Sequence, residues 1–145
     1  MEIYTIGFTK RTAAGFFGAL KGAGIKQLLD VRLNNSSQLA GFTKRDDLPY
    51  LLRELCGAAY THETLLAPTQ EMLDAYKKRK GDWNEYADRF LALMAERTVE
   101  ERLDRGAFAV PTVLLCSEAT AEHCHRRLAG EYLRDKWGDV ELMHL

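Results

Sequence analysis

The run Val113-Leu114-Leu115-Cys116-Ser117-Glu118 puts a thiol, a hydroxyl and a carboxylate directly after an uninterrupted apolar segment. A cysteine that ends a buried strand and precedes a helix sits in the field of the helix N-terminus, which favours the thiolate. Cys116 is therefore a candidate nucleophile; the competing reading is a small buried core residue, which free cysteine often is. Asp30 and Arg32 stand two residues apart at the end of a second apolar run, so an extended backbone points both to one face. One is a candidate acid or base and the other an anion clamp, against the alternative of an ion pair tying the strand end to a loop. Glu118 is a third catalytic candidate beside Cys116 and Asp30.

Thr9, His62, His125 and Arg126 complete the set as candidate substrate contacts, with Arg32 as the main cation. Two other chemistries fit less well. A phosphatase cradle needs an arginine six positions after its cysteine, where this chain has Glu122. Cys116, Cys124, His125 and His62 are zinc-ligand types, but the cysteines lack the short Cys-x-x-Cys spacing, and no metal is assigned. No G-x-G-x-x-G or G-x-x-x-x-G-K-[ST] motif occurs, so no dinucleotide or P-loop site and no cofactor is expected.

These residues do chemistry together only if the fold gathers them. Ile3 to Gly7, Lys26 to Val31, Ala58 to His62, Val110 to Cys116 and Val140 to Leu145 are predicted strands. Thr12 and Asp47 are predicted to cap helices carrying Phe16, Phe17 and Leu20, and Leu48, Leu52 and Leu55. Gly15, Gly18 and Gly22 weaken the first helix and suggest close approach to the sheet. Thr69 to Lys80 is predicted as a helix ending in a solvated cationic run. Asp82 with Glu85 resembles a capping box opening the longest helix, which Gly106 ends, and Thr120 is predicted to cap the last one. Alternation of this kind implies a three-layer α/β fold: a mostly parallel sheet of about five strands with helices on both faces, Rossmann-like in layering. The last strand is free to run antiparallel at an edge. In such sheets ligands bind beyond the carboxyl ends of the strands, which is where Thr9, Asp30, Arg32, His62, Cys116 and Glu118 fall.

The bulk properties fit one domain over residues 1–145: 46% hydrophobic and 28% charged residues in a chain of 145. A net charge of −1 argues against binding nucleic acid by bulk charge, though a local basic patch stays open. Lys10-Arg11 and Lys44-Arg45, in loops after strand ends, are weak candidates to guide an anion. No secretory or membrane-spanning segment is evident, and three unpaired cysteines suit a reducing cytoplasm. No oligomeric state is readable.

Several segments resemble the bacterial and archaeal domain-of-unknown-function 488 family. They are Thr5-Ile6-Gly7, Asp30-Val31-Arg32, Tyr60 with His62, Trp83 with Tyr86, and above all Leu114-Leu115-Cys116-Ser117-Glu118 followed by Cys124-His125-Arg126. Where that family often has His-Ser or Tyr-Ser after its glycine, this chain has Phe8-Thr9. After Asp-Val-Arg, Asn35 takes the place of a usual proline, Ser37 is retained and Gln38 replaces an arginine. The resemblance implies the α/β fold and a shared site at Asp30, Arg32, Cys116, Glu118, His125 and Arg126, but no activity. Two functions follow as expectations. The first is an enzyme acting on a small anionic or nucleotide-like substrate. The second is a non-catalytic ligand- or partner-binding module with a structural polar network.

Overall fold

The computed structural model describes residues 1–36 and 41–145; Ser37 and Gln38, named above, lie outside the described residues. The strands are β1 (Glu2–Gly7), β2 (Gln27–Asp30), β3 (Ala59–His62), β4 (Thr112–Cys116) and β5 (Glu141–His144). They form one five-stranded sheet in the order β3-β2-β4-β1-β5, and every neighbouring pair is parallel, the terminal β5 included. The helices are α1 (Ala13–Gly22), α2 (Leu48–Cys56), α3 (Gln70–Leu73), α4 (Trp83–Arg97), α5 (Val99–Arg102) and α6 (His125–Trp137).

Strand residues alternate between the two faces, so each face has its own core. Leu28, Val113 and Leu115 pack with Phe16, Leu20, Leu48 and Leu52 of α1 and α2. Leu29, Leu114 and Cys116 pack on the other face with Phe90 and Met94 of α4 and Leu128 and Tyr132 of α6. β4 is buried at every position, as a central strand covered on both faces requires. The alternation decides which core the sulfur joins: Cys116 lies on the α4/α6 side.

Local signals set most boundaries. Thr12 Oγ1 accepts from Gly15 N at 3.0 Å and opens α1. Asp82 accepts from Glu85 N at 3.2 Å and opens α4. Asp47 occupies the cap position of α2 without a side-chain cap bond, and Pro49 stands in the first turn instead. Four expectations are corrected. The long helix does not reach Gly106: Thr98 takes a left-handed conformation (φ 48°) and breaks it into α4 and α5. The last helix starts at His125, with Cys124 rather than Thr120 at its cap, so residues 117–124 are loop. The predicted helix 69–80 becomes α3 and then a π-turn, Asp74–Lys78. A Cβ on Gly18 or Gly22 would meet nothing, so those glycines serve no close packing; the tightest approach is at Gly7, and the helix glycine that lies against the sheet is Gly130, facing Leu142. Among the described residues no helix is long and apolar enough to cross a membrane.

Candidate active site

Gly7 and Cys116 are register partners at the carboxyl ends of β1 and β4, and Asp30 ends the adjacent β2. Three central parallel strands thus deliver their trailing residues to one edge. Thr9 N and Thr9 Oγ1 both donate to the Ser117 carbonyl, at 3.1 and 2.5 Å, and pin the start of loop 117–124 to the end of β1. Arg126 Nη1 donates to the Glu118 carbonyl at 2.7 Å and holds the same loop from α6.

Cys116 and His125 form the reactive-looking pair. His125 Nε2 lies 2.7 Å from the Val31 carbonyl. A carbonyl only accepts, so Nε2 carries a proton and donates it to Val31. Nδ1 is 3.5 Å from Cys116 Sγ. Nε2 is itself 3.8 Å from the same sulfur, so Cys116 Sγ faces both nitrogens of a ring that the Val31 carbonyl holds in place. Hydrogen bonding from the Cys124 thiol, from the backbone N–H groups of Ser117 and Glu118, and the charge of Arg126 hold the Cys116 thiol below the usual range, against the opposing effect of burial. Cys124 is pushed the other way, by its hydrogen bond to Cys116 and by burial.

Asp30 and Arg32 are held together more tightly than strand geometry alone requires. Arg32 Nε and Nη2 donate to Asp30 Oδ1 and Oδ2, each at 2.8 Å, and Nη2 also donates to the Thr43 carbonyl at 2.6 Å. Tyr60 donates to Asp30 Oδ2 at 2.6 Å and receives Asn35 Nδ2 at 3.0 Å. Burial, then the bond to Asp30, pushes the Tyr60 hydroxyl up to about 12. His62 Nε2 donates to the Arg32 carbonyl at 2.7 Å. The Arg32 guanidinium lies over the Phe8 ring, 5.3 Å from its centroid, and Nη1 is buried without a hydrogen-bond partner among the described residues.

A cavity of about 220 Å³ opens over these residues. Arg32, Cys116, Glu118 and His125 line it, and Cys124 joins them. Asp30, Thr9, His62 and Arg126 do not: Asp30 is fully buried with both oxygens engaged, and the other three position backbone. The remaining wall is aromatic. Trp83 stacks on Tyr86 (5.4 Å) and on His123 (5.0 Å), and Tyr76 meets Trp83 at 5.6 Å. The π-turn carries Tyr76 and Lys77 to the cavity. Such turns recur at functional sites. Lys77 is not part of a plain solvated face, because its ammonium pairs with the Glu118 carboxylate at the rim. Arg11, a candidate anion guide, instead donates to the Leu145 carbonyl at 2.6 Å.

Sequence reasoning missed the aromatic wall, Lys77 and the structural use of the Val31 carbonyl. Trp83 and Tyr86 carried two signals, their place in the family resemblance and an i, i+3 aromatic spacing, but the spacing reads equally as a core stripe.

Comparison with protein families matches residues 12–133 to the domain of unknown function DUF488. The chain belongs to this family. No curated protein and no solved structure matches it. In this DUF488 protein the family match takes in β2, β4 and the first part of α6 through Leu133, and so the Cys116–His125 pair and Arg32, while Phe8 and Thr9 lie ahead of it.

Proposed function

We propose that this protein is an enzyme acting on a small anionic substrate with a flat or apolar body, and that Cys116 is its nucleophile. One observation carries the proposal: Cys116 Sγ lines the cavity 3.5 and 3.8 Å from the two nitrogens of a His125 ring that the Val31 carbonyl fixes. In this mechanism His125 Nδ1 takes the thiol proton as sulfur bonds to the electrophilic atom of the substrate. The imidazolium then returns that proton to the departing group, and a water that gives its own proton to the same nitrogen cleaves the sulfur–substrate bond and restores the thiol. The orphaned Arg32 Nη1 supports an anion subsite, because a buried donor without a partner calls for one. Asp30 serves as a positioning residue that locks the guanidinium, and Glu118 is the cavity carboxylate available as a base. A cavity of about 220 Å³ lies below the ~300–1,000 Å³ usual for drug-sized ligands, so the substrate is small. The stacked Trp83 and Tyr86 suit a planar ring, which places aryl acids and nucleobase-bearing compounds in the screen.

The closed network of Asp30, Arg32, Tyr60 and Asn35 favours the second reading, a binding module in which Cys116 is structural. Iodoacetamide labelling near neutral pH, with the modified cysteine identified by peptide mass, separates the two. The enzyme reading expects Cys116 to label faster than Cys56, and Cys116→Ser and His125→Ala to abolish any turnover found in the screen. Labelling of Cys116 only on unfolding would exclude the nucleophile.

A further inference from the structure

Cys124 is conspicuous because the proposed nucleophile has no need of a second buried thiol. Cys116 Sγ, Cys124 Sγ and a His125 ring nitrogen all lie within 4.8 Å of one another, and all three residues are buried. All three also line the same cavity, so the cluster has a route of entry and an open side. The sequence spacing argues against a metal, since eight positions separate the cysteines where structural zinc sites use a short Cys-x-x-Cys. The fold removes that objection by bringing Cys124 back to the end of β4 at the cap of α6.

We propose that Cys116, Cys124 and His125 form a three-ligand zinc site with its fourth position open to the cavity, so that zinc occupancy and nucleophilic attack by Cys116 exclude each other. Zinc takes sulfur at about 2.3 Å and imidazole nitrogen at about 2.0–2.1 Å in a tetrahedron, which sets a sulfur–nitrogen edge of about 3.5 Å. Cys116 Sγ lies 3.5 Å from His125 Nδ1 and 3.8 Å from Nε2, so the spacing suits a shared metal while the sulfur, now over the ring, must turn toward the Nδ1 lone pair to bind it. Metal-bound histidines characteristically donate their other ring N–H to a backbone carbonyl or a carboxylate, and His125 Nε2 donates to Val31. Two thiolates and one neutral imidazole are a donor set that zinc favours. Binding releases the thiol protons and leaves a neutral zinc–dithiolate unit beside the Arg126 guanidinium. An anionic fourth ligand from the cavity would balance that remaining charge.

The binding claim stands without the enzyme reading; the silencing of Cys116 rests on it. The test is a cobalt(II) titration of the reduced, metal-stripped full chain, followed by zinc displacement and by Cys116 alkylation with and without zinc. The expected result is saturation near one metal per chain, with tetrahedral visible bands and a thiolate-to-cobalt band in the near ultraviolet. Both are lost in Cys124→Ser, whose fold is checked by circular dichroism, and weakened in His125→Ala. Zinc at saturation slows Cys116 alkylation at least about tenfold, as expected when the thiolate becomes a ligand. No saturable thiolate band, or identical titrations for the wild type and Cys124→Ser, overturns the site. Rapid alkylation that zinc leaves unchanged overturns the silencing while the nucleophile survives. Slow alkylation of the metal-free chain refutes the nucleophile and the silencing together, and the cobalt titration still decides the site.

Discussion

Gly7→Ala tests the geometry of the site without touching a reactive group. A Cβ on Gly7 would lie 1.6 Å from the Glu118 carbonyl oxygen and 2.9 Å from Arg126 Nη1, where ordinary contact begins near 3.4 Å. β1 cannot yield, because it is hydrogen-bonded to β4 on one side and β5 on the other. Loop 117–124 must therefore retreat by more than an ångström. That movement opens the 2.7 Å bond from Arg126 to the Glu118 carbonyl and strains the anchor from Thr9 to the Ser117 carbonyl. Overpacking of this kind costs about 1–3 kcal/mol. Losing a hydrogen bond from a charged donor adds about 1.5–3 kcal/mol. At about 3 °C per kcal/mol for a chain of this length, the melting temperature should fall by roughly 10 °C. The same retreat carries the Ser117 and Glu118 N–H groups away from Cys116, so alkylation of Cys116 near neutral pH should slow in the folded variant. Thermal denaturation and mass-resolved labelling measure both effects. A melting point within about 2 °C of wild type, with an unchanged labelling rate, would refute the claim that Gly7 fixes the loop.

Two further substitutions probe the Asp30 network. Asp30→Asn leaves a buried guanidinium without its countercharge and should destabilise the protein by about 3–5 kcal/mol in urea denaturation. A loss below about 1 kcal/mol would show that the pair does not hold the end of β2. Tyr60→Phe removes a bond to a carboxylate, for an expected loss of about 1.5–3 kcal/mol near neutral pH. Because the Tyr60 hydroxyl is raised from 10.0 to about 12 in the folded chain, the folded state keeps a proton that the unfolded state has shed. Stability should therefore fall as the pH rises from 10 towards about 12, and Tyr60→Phe should lack that share of the decline. Parallel stability profiles for the two proteins would reject this assignment.

The layering of the fold was legible because the apolar runs differ in period. Val113-Leu114-Leu115 has no polar partner face, which marks a strand covered twice, and α1 and α4 announce themselves through Thr12 and Asp82. What failed was fixed by tertiary contact. Nothing in 120–124 disfavours a helix strongly enough to place its start at His125. That boundary follows from Arg126, Thr9 and Gly7 drawing the loop across the sheet edge. The π-turn at Asp74–Lys78 likewise has no sequence signature, yet it brings Tyr76 and Lys77 to the cavity. Among the candidate site residues, strand-end logic picked out the right neighbourhood but not the division of labour. Arg32, Cys116, Glu118 and His125 face the cavity, whereas Asp30, Thr9, His62 and Arg126 stand behind it.

That division follows from how the two buried arginines are neutralised. Arg32 is only 5% exposed and Arg126 only 1%, and a guanidinium so far from water needs an anion or a full set of acceptors. Asp30 supplies the anion for Arg32 and the Thr43 carbonyl a further acceptor, while Nη1 has no partner among the described residues. Arg126 has no carboxylate within ion-pair distance among the described residues, only the Glu118 carbonyl, and its Nε is unpartnered. Its charge acts on the sulfur of Cys116 instead. That effect is smaller than the hydrogen bond from Cys124, so Arg126 assists rather than sets the lowering of the Cys116 thiol. The chain places its fixed carboxylate against Arg32 and its ionisable thiol near Arg126. The two cations at this sheet edge therefore meet different partners, a carboxylate in ion-pair contact for Arg32 and a thiol lowered at a distance for Arg126.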